Sequence, residues 1–235
     1  SSNTATTITG STSDDTISVE SVDIAAAGMK INGNEGADKL SAKNVTVSVE
    51  SAAFEINGDA GANTISAESF TISNGEVKLN GGTDGDNISA KSINITGGTF
   101  EINGGANADT INLETFDVTG GSAKIYGGTS AEDTADDTFN IGENVSGVEI
   151  FSGDTDSDTF KFTATGANVT LNLGTGDKIA LATKIEETDI KFVDGKILFG
   201  NNTVTAANNT SIADLGANNL LGIKVYNGSG DTTGT

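Results

Sequence analysis

The sequence predicts an all-β chain wound as a parallel β-solenoid of about seven rungs and closed by a C-terminal β segment. Three observations carry that expectation. A glycine- and aspartate-rich turn recurs at intervals of about 23 residues, apolar residues fall at fixed offsets from each turn, and charges alternate in sign from one repeat to the next. The turns read Gly10 to Ile17, Gly33 to Leu40, Gly58 to Ile65, Gly81 to Ile88 and Gly104 to Ile111. Repetition at this period marks units that bury their apolar faces only against their neighbours.

Each unit divides into the turn and three short strand-like pieces. The first piece starts at the apolar residue that closes the turn: Ile17, Leu40, Ile65, Ile88 and Ile111. The second holds the pairs Val22/Ile24, Val45/Val47, Phe70/Ile72, Ile93/Ile95 and Phe116/Val118, whose alternate spacing is that of a strand with one face inward. The third holds Met29/Ile31, Phe54/Ile56, Val77/Leu79, Phe100/Ile102 and Ala123/Ile125. Parallel stacking would gather each set into a column, with rungs about 4.8 Å apart. The chain has no proline, which suits a ladder that needs nearly every backbone N–H. Asn32, Asn57, Asn80 and Asn103 precede successive turns and are expected to form an amide ladder.

Charge tests the register independently. Lys30, Glu55, Lys78, Glu101 and Lys124 share one position, and Glu20, Lys43, Glu68, Lys91 and Glu114 share another. Stacked in register, both columns set opposite charges side by side, worth about 0.2–1 kcal/mol per pair. The columns end at the last of these residues as the repeat loosens past Ile125. There a longer turn, Gly127 to Phe139, is followed by a shorter interval to Gly153–Phe160 and an echo at Gly174–Ile179. Residues 1–160 therefore read as the repeats. Residues 161–235 read as the capping end, with alternation at Ile190–Phe192 and Lys196–Phe199 and a short helix at Ser211–Leu215.

The 235 residues carry a net charge of −21, and contain no His, no Cys and no Trp. Such a surface repels nucleic acid and anionic membranes and invites divalent cations. No apolar run is long enough for a membrane span. Without His, Cys or Arg there is no conventional nucleophile–base pair, so an enzyme is not expected. An ice-binding face is disfavoured because Lys39 and Asn87 interrupt the Thr16, Thr64, Thr110, Thr138 and Thr159 column.

The turn Gly81-Gly82-Thr83-Asp84-Gly85-Asp86-Asn87-Ile88 resembles the nonapeptide of the RTX (haemolysin-type calcium-binding) repeats, and degenerate copies run from about residue 10 to 179. The resemblance implies a right-handed parallel solenoid with calcium between stacked turns, held by the Asp carboxylates and backbone carbonyls. This chain departs from the pattern in having one such turn per rung rather than two, and in Asn63 at one Asp position.

Candidate metal ligands are Asp15, Asp38, Asp86, Asp109, Asp137, Asp158 and Asp177, with Asp84 in the best-matched turn. Carboxylates about 5 Å apart would repel by roughly 1–3 kcal/mol per pair, and calcium, with six to eight oxygen ligands, would turn repulsion into binding. In the alternative, each Asp accepts a hydrogen bond within its own turn and splays into water. Asp133, Asp136, Asp137, Asp154, Asp156 and Asp158, with Glu132, form the densest acidic cluster, and the alternate spacing of Asp154, Asp156 and Asp158 is that of calcium loops. The function expected is a non-enzymatic, secreted structural module of a bacterial surface layer, adhesin or filament, stabilised by calcium, with self-association or tandem continuation end to end. The alternative is a calcium-binding accessory module of a secreted toxin or carbohydrate-modifying enzyme.

Overall fold

A computed structural model describes residues 5–25, 27–128, 134–152, 157–174, 177–181, 190–193, 196–199, 201–206, 220–221, 225–226 and 232–233. The expected fold class is what it shows: an all-β, parallel β-solenoid of about seven turns, with no helix among the described residues. The Ser211–Leu215 segment lies outside them.

The regular part alternates short and long strands. In chain order they are β1 (Thr6–Thr9), β2 (Thr16–Ile24), β3 (Gly28–Asn32), β4 (Lys39–Val47), β5 (Ala53–Asp59) and β6 (Thr64–Ile72). There follow β7 (Glu76–Gly82), β8 (Asn87–Ile95), β9 (Thr99–Gly105), β10 (Thr110–Val118) and β11 (Ser122–Tyr126). Even-numbered strands pair in parallel as one ladder, β2–β4–β6–β8–β10. Odd-numbered strands form the other, β1–β3–β5–β7–β9–β11.

The first two expected pieces are one nine-residue strand. Inward residues alternate up to Ala42, then Lys43 and Asn44 are both exposed, and Val45 and Val47 turn inward again. Two exposed residues in succession shift the period-two alternation by one place, so the strand bends round a corner while its hydrogen-bonded ladder continues. The sequence offsets locate the corner, but they read it as a break.

The core is the set of stacked inward columns. Leu40, Ile65, Ile88 and Ile111 are at most 1% exposed, and Phe54, Phe70, Phe100 and Phe116 are as fully buried. These rings climb the axis edge to face, Phe54 to Phe70 at 5.5 Å, Phe70 to Phe100 at 6.4 Å and Phe100 to Phe116 at 5.5 Å. Outside, the asparagine ladder forms as expected between Asn57 Nδ2 and Asn32 Oδ1 (2.9 Å) and between Asn80 Nδ2 and Asn57 Oδ1 (2.6 Å). A second amide ladder, Asn112 to Asn87 and Asn140 to Asn112, was not legible because Asn87 sits two places before the offset that Asn112 and Asn140 share.

Parallel stacking continues across residue 160 with shorter strands: β12 (Thr138–Ile141), β13 (Val145–Phe151), β14 (Thr159–Phe162), β15 (Asn168–Asn172) and β16 (Lys178–Leu181). The charge column also runs one rung further than expected. Lys124 pairs in register with Glu149, a partner hidden in the sequence by the longer turn before it.

Then come β17 (Ile190–Val193), β18 (Lys196–Phe199), β19 (Asn202–Ala206), β20 (Leu220–Leu221), β21 (Val225–Tyr226) and β22 (Thr232–Thr233). β17, β18 and β19 run antiparallel, and β19 joins the solenoid by pairing in parallel with β15. β20 covers β16 in parallel, and β21 and β22 form a separate antiparallel pair.

Candidate functional site

The aspartate column lies inside the corner between the short strand of one rung and the long strand of the next. From Asp38 onward its acidic members are buried: Asp38 is 1% exposed, Asp86 4%, Asp109 2%, Asp137 1%, Asp158 0% and Asp177 2%. Burial of a carboxylate is costly unless hydrogen bonds replace its water. Here the replacement is a ladder along the axis. The backbone N–H of each member donates to Oδ1 of the member one rung on: Asp15 to Asp38 (2.7 Å), Asp38 to Asn63 (2.9 Å) and Asn63 to Asp86 (2.6 Å). It continues from Asp86 to Asp109 (2.6 Å), Asp109 to Asp137 (2.7 Å), Asp137 to Asp158 (2.6 Å) and Asp158 to Asp177 (3.0 Å). The residues therefore do stack, but Oδ1 is engaged across rungs rather than within its own turn.

Asn63 fits this ladder because the shared requirement is one acceptor oxygen. Its amide also donates to the Gly61 carbonyl oxygen at 2.6 Å, an option that an ionised Asp lacks. Own-turn bonding survives at Oδ2 of Asp15, which accepts from the Ser11 N–H and hydroxyl, and of Asp177, which accepts from the Gly174 N–H at 2.7 Å.

The second carboxylate oxygen explains the first glycine of each turn. A Cβ at Gly33, Gly81 or Gly104 would overlap Oδ2 of Asp38, Asp86 or Asp109 respectively, and also the carbonyl oxygen of the equivalent glycine one rung on. The turns from Gly33 to Gly104 have a left-handed backbone at the second position, and all but the Gly81 turn, where Asp84 stands, have one at the fourth. Gly82 and Gly105 supply it at the second position, and Asn34 (φ 85°) and Asp59 (φ 67°) replace glycine there. Gly36, Gly61 and Asn107 (φ 70°) supply it at the fourth. Asn and Asp are the side chains that tolerate this region, so the missing glycines are conformational equivalents.

Oδ2 of Asp38 and Asp86 is buried with no hydrogen-bond partner. At Asp86 burial is the main effect and pushes the carboxyl up to about 7 against the lowering effect of its hydrogen bonds with Asn63, while the nearby Asp84 charge raises it further. A proton or a cation would satisfy such an oxygen. As a cation site the column supplies the chemistry of a hard ion, carboxylate and carbonyl oxygen. Among the described residues, however, no three acidic side chains converge as a metal cluster. Any cation there would lean on backbone carbonyls as well.

The remaining candidates are outside the column. Asp84 is exposed and its Oδ2 accepts the Gly61 N–H at 2.8 Å; Asp136 Oδ1 accepts the Ser157 N–H at 3.0 Å. Asp14, which the sequence reading passed over, bonds in the same way with the Ala37 N–H (2.9 Å). These three tie neighbouring turns together from the outer side. Glu132, Asp133, Asp154 and Asp156, and so most of the densest acidic cluster, lie outside the described residues.

Compared with known proteins, the chain matches no protein-family model and no curated protein.

Proposed function

We propose that this chain is a non-enzymatic structural module, secreted to a bacterial cell surface as part of a surface layer, adhesin or filament, and stabilised by calcium. One observation carries the reading: the same side chains stack at the same register in rung after rung, around a buried carboxylate ladder. A surface built of repeated columns offers many equivalent contacts, which suits a rod or lattice element. The net charge of −21 favours cations as partners and disfavours nucleic acid or an anionic membrane.

Calcium enters through the Oδ2 atoms of Asp38 and Asp86, which lack hydrogen-bond donors. At Asp86, whose carboxyl burial pushes up to about 7, the ion would take the place of the proton. It would compete with that proton, so its effect grows with pH. Thermal unfolding in millimolar calcium or in chelator, at pH 6 and at pH 8, tests this. The expected stabilisation is about 2.7 kcal/mol per independent site at a hundredfold excess over the dissociation constant, and larger at pH 8. Identical curves would leave the column as a purely hydrogen-bonded device. Negative-stain imaging with and without calcium tests the assembly reading, for which fibres or sheets are expected and monomers alone would count against it.

A second reading draws on the turn conformation. Left-handed residues at the second position of four turns, and at the fourth position of three of them, coincide with glycines of the RTX nonapeptide, which supports a calcium-binding accessory module of a secreted toxin or carbohydrate-modifying enzyme. A catalytic domain encoded beside this segment would favour it, and further solenoid would favour the structural reading.

A further inference from the structure

Among the described residues, the first and last strands of the stack differ in how they are paired. At the C-terminal end β15 pairs with β19 and β16 with β20. At the other end β1 pairs with β3, but among the described residues β2 pairs on one side only, with β4. The consequence shows in burial. Ile17, Val19 and Val22 are partly exposed, whereas their stacked equivalents Leu40, Ala42 and Val45 are at most 2% exposed. An open groove of about 390 Å³ lies at Val22, between Thr6, Ile24, Ala27 and Met29.

We propose that the side of β2 left unpaired among the described residues is a docking slot for one nine-residue parallel strand of the same repeat type, with a lysine at its fifth position. The proposal deepens the structural-module reading, on which it rests for the kind of strand that arrives. Four features of the slot define the occupant. The length and inward pattern follow from Thr16–Ile24, against which apolar residues at positions two, four, seven and nine would close the core as they do in β4, β6 and β8. The backbone edge of β2 needs a parallel partner, since every other long strand of the regular part has one on each side.

Asp15 is the first acceptor of the carboxylate ladder. Its Oδ1 stands where the N–H of the residue just before the incoming strand would donate, as Asp15 itself donates to Asp38. Glu20 fixes the sign. In the chain's own stack, Lys91 on β8 lies between Glu68 on β6 and Glu114 on β10, and Lys43 lies 3.9 Å from Glu68. A cation at the fifth position would extend that alternation, and an acid there would meet Glu20 with like charge.

The chain already contains a strand of this description, Asn87–Ile95, with Lys91 fifth and Ile88, Ala90, Ile93 and Ile95 facing inward. Residue 5 stands one register step before the Thr6–Met29 pair, where Thr99 stands relative to Phe100. Asp86–Gly98 can therefore be grafted in place of Ser1–Thr4 with the connection kept at its natural length. Three versions of the full chain are compared with the parent by thermal unfolding and amide exchange: the authentic graft, the same graft with Lys91→Glu in the grafted copy, and a shuffled graft.

The authentic graft is expected to raise the melting temperature and slow exchange across Thr16–Ile24 at least tenfold. The Lys91→Glu version should protect less at low salt and approach the authentic graft at high salt, where the charge is screened. The shuffled graft should behave as the parent. Equal behaviour of the authentic and shuffled grafts would overturn the slot, and equal behaviour of the Lys and Glu versions at low salt would overturn its charge preference. These readouts come from monomeric protein, so they stand apart from the imaging that tests assembly.

Discussion

The rungs from β2 to β11 and those from β12 to β16 solve the same stacking problem with different materials. In the first group each long strand has nine residues, bends at a fixed corner and carries charges that alternate along the axis. In the second, the strands that continue this ladder have only four residues, and the register shifts between Ser146 and Val148. Aromatic geometry changes too. Edge-to-face contacts between rungs give way to parallel stacks, Phe139 on Phe160 at 4.8 Å and Tyr126 on Phe151 at 4.7 Å. Tyr126 occupies the position held by Asn103 one rung earlier, so an aromatic pair takes over from the amide ladder. The difference teaches that the inward apolar columns and the carboxylate ladder are the constant parts, and that outer columns are interchangeable.

The largest test of the comparison is to cut an inward column in each region. Phe70 is wedged between the Phe54 and Phe100 rings, and Phe70→Ala is expected to cost about 3–5 kcal/mol. Because rungs are coupled mainly to their neighbours, the loss should open amide exchange on both sides of β6. Phe199 meets Phe162 at the capping end, at 4.9 Å. Phe199→Ala should release β17 to β19 first and leave β4 to β8 protected. Equal exchange in the two regions of both variants would mean that the molecule unfolds as one cooperative block.

The carboxylate ladder gives the next test, because one rung already carries the substitution. Burial raises the Asp86 carboxyl from its ordinary 3.8 to about 7. Between those values the folded chain holds a proton that the unfolded chain has released. The Asp86 contribution to stability therefore falls as pH rises from about 4 to 7 and is level above that. Asp86→Asn should remove this slope and, in chelator at pH 8, add about 2 kcal/mol to stability. Asn63 shows the geometry, with its amide donating to the Gly61 carbonyl oxygen. A variant that is less stable than the parent at pH 8 would show that the charge at this position is needed, as a bound cation would require.

The regular rungs were legible because a strict period exposes every column at once. Turn, inward faces, amide ladder and charge alternation all follow from offsets in the sequence. What was not legible depends on direction in space. Spacing placed Asp38 and Asp86 in one column but could not say whether they faced water, each other or the corner, and the structure turns them inward onto N–H groups of the preceding rung. Substitution by conformation was hidden as well, since Asn34 and Asn107 look like lost glycines until their positive φ is seen. Glu149 was missed because the longer turn before β12 moved it out of step.

The smallest effect separates the outer columns of the two regions. Lys78 sits in register between Glu55 and Glu101 and also bonds Glu76 Oε1 at 2.9 Å. The Glu76 hydrogen bond, and then the charges of Glu76, Glu101 and Glu55, hold its ammonium above the usual lysine range, against a lowering effect of burial. Its favourable contribution is therefore complete at neutral pH and is lost only as pH rises above about 10.5. Lys78→Glu would set four carboxylates together, and about 1 kcal/mol of destabilisation is expected at low salt, shrinking as salt is added because the site is partly exposed. Lys161, in the later rungs, faces Asn140 and Ala180 rather than acids. Lys161→Glu should accordingly change stability by a few tenths of a kcal/mol at most, as ordinary surface substitutions do. Chemical denaturation with urea, which leaves ionic strength unchanged, measures both at low and high salt. Equal effects at the two lysines would show that alternation along the first column contributes nothing beyond an ordinary charged surface.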